Sequence, residues 1–221
     1  MTLIKTDDRV DFIKANTRIL SPPLCPELRL YLAEQSLPIW MKTEEELGAS
    51  GLPPPYWAFA WAGGQALGRY ILDTPATVAG KPVFDLAAGC GLTAIAALKA
   101  GALRATGNDV DAFAGAAMQL NAALNGVEMT IRLGDMLSGP AIADHVILVG
   151  DLFYEKPLAA RVLTWLTACQ LAGASILTGD PQRTYFPKDR FSMVAEYKVP
   201  VSRELEDAEF KQTAVWRLKS I

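Results

Sequence analysis

Four aspartates stand at or just beyond the ends of apolar segments, where side chains can reach a ligand: Asp85, Asp109, Asp135 and Asp151. The first begins DLAAGCG (85–91), whose glycines permit a sharp turn and a close approach of the backbone to a ligand. A helix that begins near Gly91 would direct its amide groups at that ligand. Asp109 follows Gly89 by twenty residues, and a carboxylate there can accept hydrogen bonds from both ribose hydroxyls. These residues predict a pocket for an adenosine-containing cofactor.

Two classes of cofactor compete for this pocket. The pattern Gly89-x-Gly91-x-x-Ala94 formally fits the dinucleotide fingerprint, which is a weak signal when taken alone. Asp85, however, lies within the end of the strand, where it can hold the ammonium of a methionine moiety through water or amides. Asp135 adds an acceptor for an adenine amino group, and a long segment precedes the motif. These features favour S-adenosylmethionine; NAD(P), or a nucleotide fold without a ligand, remain the alternatives.

An acid and an aromatic residue stand three apart in GDLFY (150–154). The carboxylate of Asp151 can attract an amine, and the ring face of Tyr154 would add a cation–π contact of roughly 0.5–2 kcal/mol. An amine held there would lie near a reactive methyl group. The alternative is structural: Asp151 would cap the next helix, while Phe153 and Tyr154 would pack in the core.

Strands alternate with helices from residue 80 onward. This order predicts parallel βαβ units with right-handed crossovers, so the fold class is α/β: a Rossmann-like doubly wound sheet of seven strands. Ligands bind beyond the carboxyl ends of the strands in such a sheet, which would bring the four aspartates together. We predict strands at 81–87, 103–109, 127–133, 144–150 and 174–179, helices at 91–100, 111–125 and 157–171, and an antiparallel hairpin from 190–199 and 212–219.

The first 80 residues have a helical character that prolines interrupt. Thr43 and Glu46 form a capping box for a short helix that ends at Gly48. We expect one compact domain in which residues 1–80 form a helical extension that caps cofactor and substrate, while 81–221 form the Rossmann-like part. The other helical segments are 7–15, 26–34 and 63–72.

Composition excludes several classes of protein. The 221 residues are 51% hydrophobic and 20% charged, with a formal net charge of −3, which disfavours disorder and a broad nucleic-acid-binding surface. Three cysteines without a CxxC pair and one histidine suggest no disulfide framework and no metal site. No targeting or membrane segment is evident. We therefore expect a cytoplasmic protein, of bacterial source or, in a eukaryote, of the mitochondrial matrix.

Five stretches resemble the seven-strand, S-adenosylmethionine-dependent protein-lysine methyltransferases, and within them the electron transfer flavoprotein β-subunit lysine methyltransferases. The likeness covers roughly residues 50–185, and its most specific parts are the Trp-Ala-x-x-Trp-x-Gly-Gly-Gln pattern and the motif after the fourth strand. The stretches are PYWAFAWAGGQALGRYIL (55–72), DLAAGCGLTAIAA (85–97), GNDVD (107–111), GDLFY (150–154) and GDPQR (179–183).

The resemblance implies a role for each matching position. Asp151 and Tyr154 would be the catalytic acid and aromatic that receive the lysine, whereas Trp57 is expected in the core. Asp180 and Arg183 would form either a turn with a surface salt bridge or part of the substrate mouth. The cofactor would be S-adenosyl-L-methionine. Trp61 would pack on it with Gly63, Gly64 and Gln65 beside that ring, Gly89 and Gly91 would line the methionine side, Asp109 the ribose, and Asp135 with Met136 the adenine. The other cofactor-binding residues are Asp85, Ala87 and Gly150.

The same resemblance implies the reaction and the partner. The enzyme would methylate lysines of the electron transfer flavoprotein β subunit, as a monomer that binds neither nucleic acid nor membrane. Two alternatives stay open: an N-methyltransferase for a small amine such as a nicotinamide-like compound, and a cofactor-binding module without turnover. A small-amine site would be closed by the N-terminal segment, whereas a protein substrate needs an open cleft beside Asp151.

Overall fold

The computed structural model describes residues 6–34, 54–201 and 208–220. The capping box predicted at 43–48 lies outside these residues. In chain order the helices and strands are α1 (Thr6–Asn16), β1 (Arg18–Leu20), β2 (Leu30–Leu32), α2 (Ala62–Asp73), β3 (Pro82–Leu86), α3 (Leu92–Lys99), β4 (Arg104–Asp109), α4 (Ala112–Leu124), β5 (Thr130–Leu133), β6 (Val146–Gly150), α5 (Lys156–Leu171), β7 (Ser175–Asp180), β8 (Phe191–Pro200) and β9 (Phe210–Leu218).

Seven strands form one sheet in the order β5-β4-β3-β6-β7-β9-β8. The strands β3 to β7 are parallel, and β9 joins β7 and β8 by antiparallel pairing. This confirms the predicted fold class. The strand order reverses between β3 and β6, so the loops that follow these two strands diverge and leave a crevice at their carboxyl ends.

Alternate residues of each central strand enter two different cores, as the period of a β-strand requires. Val83, Val146 and Leu148 pack with α2 and α3 on one face of the sheet. Phe84 and Ile147 point to the opposite face, where they pack with α5. Both faces of the parallel strands are therefore covered by helices, which is why these strands are apolar throughout.

Predicted and observed elements differ mainly at their ends. Asp111 caps α4 as predicted, because its side chain accepts a hydrogen bond from the amide of Phe113 at 2.8 Å. The fourth predicted strand begins later than expected, at Val146, because Asp144 has a positive φ of 53° that a strand cannot contain. Among the described helices none is long and apolar enough to cross a bilayer.

The prediction of a helix at 26–34 is wrong. This segment instead contains strand β2, which pairs antiparallel with β1. Leu28, Leu30 and Leu32 are buried at every second position, a period that fits a strand rather than a helix. Asn121 of α4 accepts a hydrogen bond from the amide of Tyr31 at 2.7 Å, so the ribbon is held against the Rossmann-like part.

Candidate active site

A pocket opens at the carboxyl ends of β3 and β6, at the reversal of strand order. We call it the cofactor pocket. The space between its walls, including the part open to solvent, is about 390 Å³. Six predicted cofactor residues line it, together with the predicted catalytic Asp151. The lining consists of Phe59, Ala60, Trp61, Gly64, Asp85, Ala87, Ala88, Gly89, Cys90, Leu92, Thr93, Gly150 and Asp151.

Asp85 is buried at the bottom of this pocket and is only 1% exposed. Its Oδ2 accepts hydrogen bonds from the hydroxyl of Thr93 and from the amide of Ala94, the latter at 3.0 Å. Burial raises the pKa of this carboxyl to about 7, although both hydrogen bonds oppose the rise. Asp85 therefore anchors the first turn of α3 beside the pocket.

Asp109 connects the end of β4 with the glycine turn. Its Oδ2 accepts a hydrogen bond from the amide of Gly89 and its Oδ1 one from the amide of Asp111, each at 3.0 Å. Burial raises the pKa of its carboxyl. Ala87 and Gly89 have positive φ values of 54° and 53°, which turn the chain sharply under this carboxylate. Asp109 thus stands beside the lining of the pocket, where a ribose role would require it.

Asp135 and Met136 lie apart from the lining of the cofactor pocket. Asp135 is exposed and forms an ion pair with Arg161 at 2.5 Å, which lowers the pKa of its carboxyl. Met136 is 5% exposed because its side chain is packed in the core beside α5. Their assignment to the adenine stays a prediction.

Three other predicted cofactor residues lie behind the lining of the pocket and hold the segments that form it. Gln65 is buried; its Nε2 donates to the carbonyl of Ala60 at 2.7 Å and its Oε1 accepts from the amide of Leu24 at 3.3 Å. Gly91 begins α3 with a φ of 80°. Gly63 packs against the end of β7. These residues do not line the pocket, so any effect on the cofactor acts through the segments that they hold.

Asp151 lies at the edge of the cofactor pocket with an uncommon backbone conformation, a φ of 55°. Its Oδ2 accepts a hydrogen bond from the amide of Gly64 at 3.0 Å, and its own amide donates to the carbonyl of Gly179 at 3.0 Å. Asp151 does not cap α5 as the structural alternative expected, since Glu155 occupies the N-cap position of that helix. Its carboxylate lies instead against the first turn of α2, where the helix dipole favours a negative charge.

Arg183 pairs with this carboxylate. Its Nη2 and Nε donate to Oδ1 of Asp151 at 2.8 and 3.1 Å, and its side chain is 20% exposed. The ion pair thus joins Arg183 to Asp151 at the edge of the pocket and is not the expected surface salt bridge within the turn, where the amide of Arg183 bonds to the buried Asp180. Gly150 pairs with Gly179 in the sheet, which brings the strand ends that carry Asp151 and Asp180 side by side.

Aromatic residues surround the same edge. Tyr154 is 47% exposed, and its ring centroid lies 6.1 Å from that of Tyr56, which lies 6.1 Å from that of Trp61. Trp57 is buried and stacks on Phe113, which confirms its expected place in the core. Phe153 is fully buried. Of the two aromatics in GDLFY, only Tyr154 is thus able to meet a substrate at the surface.

The side chains in the part of the chain that the structure describes offer no site for a metal ion. No three histidine, cysteine or acidic side chains of residues 6–34, 54–201 and 208–220 come together in a way that could hold an ion. Cys25, Cys90 and Cys169 are buried free thiols, and burial raises the pKa of Cys90 to about 12.

The sequence comparisons decide the family. A family model described as ribosomal protein L11 methyltransferase matches residues 67–149. The electron transfer flavoprotein beta subunit lysine methyltransferase of Rattus norvegicus is 38% identical over 212 residues, which cover 93% of this chain and 82% of that protein. The chain belongs to the electron transfer flavoprotein β subunit lysine methyltransferase family. The relative from Homo sapiens is 36% identical over 212 residues, covering 93% of this chain and 80% of that protein.

Solved structures of methyltransferases share the fold of this family member. The magnesium protoporphyrin IX methyltransferase of Synechocystis, solved with bound S-adenosylmethionine, has a TM-score of 0.51 and 13% identity, covering 72% of this chain and 80% of that one. The tRNA (uracil-54, C5)-methyltransferase of Pyrococcus abyssi, solved with S-adenosyl-L-homocysteine, has a TM-score of 0.50 and 14% identity, covering 68% of this chain and 37% of that one. The predicted methyltransferase class and its S-adenosylmethionine cofactor are confirmed.

Proposed function

We propose that this methyltransferase transfers methyl groups from S-adenosylmethionine to lysine side chains of the electron transfer flavoprotein β subunit. The observation that carries the proposal is the position of Asp151, an acid held at the open edge of the cofactor pocket beside the aromatic rings of Trp61 and Tyr154. The relatives are named for their protein substrate, the electron transfer flavoprotein β subunit. A carboxylate that accepts hydrogen bonds and neighbouring aromatic rings together suit a long side chain that ends in an amine.

The residues of the pocket fit the cofactor. The glycine turn at Gly89 leaves room for close approach, and the amides that begin α3 point toward the crevice. Asp109 would accept the ribose hydroxyls, Asp85 would act on the methionine amino group through the loop that it anchors, and Trp61 would pack on the cofactor. S-adenosylmethionine supplies an activated methyl group on a sulfonium when it is bound. Asp135 and Met136 remain our proposal for the adenine.

The chain itself mainly has to align an acceptor amine with that methyl group. Alignment alone can supply several kcal/mol of a displacement barrier, on the order of 7–11 kcal/mol in well-oriented systems. Free lysine has a pKa of about 10.4, and a partly dry pocket favours loss of its proton. Asp151 would orient the amine as a hydrogen-bond acceptor, and Tyr154 would narrow the entrance. No strong base is required for this task.

Labelling tests the proposal directly. Purified enzyme is incubated with radiolabelled S-adenosylmethionine and purified flavoprotein, and the labelled residues are identified by mass spectrometry. We expect label on lysines of the β subunit, its loss in Asp151→Asn, and retention of S-adenosylhomocysteine binding by that variant. Asp73→Asn, an acid on the exposed end of α2, is the matched control. A parallel incubation replaces the flavoprotein with a cell extract. Absence of label from the flavoprotein, together with label in small amines of the extract, would overturn the proposal.

The remaining expectations belong to the same proposal. We infer a monomer that acts in the cytoplasm, or in the mitochondrial matrix of a eukaryote, on a protein partner and on neither nucleic acid nor membrane. Residues 1–80 would form the extension and cap of one compact domain, with 81–221 as its Rossmann-like part. The packing of Ile13 from α1 against Trp57 and Phe113 supports a single unit.

A further inference from the structure

Arg183 reaches the active site from the turn that follows β7. Its amide donates to Oδ1 of Asp180 at 2.6 Å, and the preceding Gln182 has a φ of 62°, so the turn directs the side chain back across the strand ends. The guanidinium then meets Oδ1 of Asp151 at 2.8 Å. Because β6 and β7 are neighbours in the sheet, this turn lies next to the loop that carries Asp151.

The same guanidinium also lies over the ring of Trp61, with Cζ 5.7 Å from its centroid. This distance is within the range of a cation–π contact. Asp151 and Trp61 both line the cofactor pocket. A permanent cation therefore stands between the acid and the ring that would otherwise attract a charged lysine.

One pair of opposite charges is compensated at this position. Arg183 offsets Asp151, and Asp180 is fully buried with no hydrogen-bond partner for its Oδ2 among the described residues. Burial, and next the charge of Asp151, raise the pKa of Asp180 to about 7, so this carboxyl adds only part of a negative charge at neutral pH. Further titratable groups near this edge are Tyr56, Tyr154, Glu155 and Asp109, and Asp85 also lines the pocket.

A charged lysine would gain little from such a site. Its ammonium would meet a carboxylate that is already compensated and would be repelled by the guanidinium, whereas a neutral amine avoids that repulsion. A cationic neighbour is a known means of activating a lysine amine as a nucleophile. The neutral form is also the reactive one, because the ammonium has no lone pair.

We propose that Arg183 is a positioning residue that compensates the charge of Asp151, so that the site takes the acceptor lysine as a neutral amine. This inference rests on the proposed function. The lone pair of Nζ forms the new N–C bond as the S–CH₃ bond breaks and its electron pair returns to sulfur. The positive charge passes from sulfur to nitrogen, and one N–H proton then leaves to solvent before another methyl group can be added.

Proton release on binding tests the inference without turnover. The wild-type enzyme, saturated with S-adenosylhomocysteine, is titrated with flavoprotein β subunit in two buffers of different ionisation enthalpy at about pH 8. Free lysine is charged at this pH, so we expect release of roughly one proton for each lysine taken up. Arg183→Gln should release clearly less, and Arg183→Lys should behave like the wild type. Zero net release by the wild type would overturn the inference.

The pH dependence of methylation gives the second measurement. Arg183→Gln should lose roughly tenfold in kcat at about pH 7, with the rising limb of the kcat profile shifted up by about one pH unit and the loss disappearing toward pH 10. Arg183→Lys should restore the wild-type profile, and Arg18→Gln, which breaks an exposed ion pair with Glu34, is the control. An equal loss at every pH would show a merely structural role and contradict the inference. Absence of methylation by the wild type at all pH values would instead contradict the proposed function.

Discussion

Gly63 and Gly179 lie so close together that neither position has room for a side chain. A Cβ added to either one would approach the backbone carbonyl oxygen of the other to less than 3.0 Å, and one on Gly63 would also meet Oδ2 of Asp151. The N-terminus of α2 therefore rests directly on the end of β7. This contact sets the position of the Gly64 amide that holds Asp151.

Two adjacent glycines of α2 should respond oppositely to the same substitution. Gly63→Ala should lower the free energy of unfolding by about 1–3 kcal/mol or more, because it overpacks the contact with Gly179. Gly64→Ala has no atom within 4 Å of the new Cβ and should be neutral or raise stability by roughly 0.5–1 kcal/mol. Urea denaturation followed by circular dichroism measures both. Equal stabilities of the two variants would contradict the close contact.

Asp109→Asn should weaken cofactor binding. The substitution replaces a carboxylate that accepts a hydrogen bond from the amide of Gly89 and would accept hydrogen bonds from the ribose hydroxyls. Hydrogen bonds to a charged group contribute about 1.5–3 kcal/mol each. We expect a Kd for S-adenosylhomocysteine roughly 10–100-fold higher by calorimetry. Asp73→Asn controls for loss of a carboxylate elsewhere. An unchanged Kd in Asp109→Asn would rule out the ribose role.

Tyr154 should matter for the protein substrate rather than for the cofactor. Its exposed ring faces Tyr56 at the edge of the pocket, so Tyr154→Ala should lower kcat/KM for the flavoprotein roughly tenfold, which corresponds to about 1.4 kcal/mol. Tyr154→Phe keeps the ring and should retain most activity. Both variants should bind S-adenosylhomocysteine like the wild type. A large loss in the phenylalanine variant would assign the effect to the hydroxyl instead.

Asp180 should make the stability of the enzyme depend on pH. Its pKa is raised to about 7 in the folded state, mainly by burial, so between about pH 4 and 7 the folded state binds more protons than the unfolded one. This contribution to stability is therefore present at low pH and is lost as the pH rises through 7. Asp180→Asn removes it.

Urea denaturation over this pH range provides the measurement. The stability of Asp180→Asn relative to the wild type should increase steadily from about pH 4.5 to 8, because only the wild type loses the contribution of Asp180 there. The raised pKa of Asp85 acts in the same direction but is common to both proteins. A difference that stays constant with pH would mean that Asp180 titrates near its ordinary value.

Local sequence patterns were sufficient to predict structural features that depend only on a residue and its neighbours along the chain. Asp111 caps its helix and Trp57 is buried, both as predicted, because capping and apolar burial depend on short stretches of chain. The same reasoning failed at Leu28–Leu32. The prolines before this segment indicated only that the chain bends, and its apolar residues fit a helix or a strand until β1 and α4 provided partners.

The sequence by itself determined that four acids end or follow strands, and therefore that they gather at one edge, because parallel strands all end on the same side of a sheet. It also determined the family through its motifs. Only the tertiary structure decided the partner of each acid. Asp135 pairs with Arg161, while Asp151 pairs with Arg183. The second pair depends on the adjacency of β6 and β7 and on the register that aligns Gly150 with Gly179, a long-range relationship that no local pattern of residues specifies.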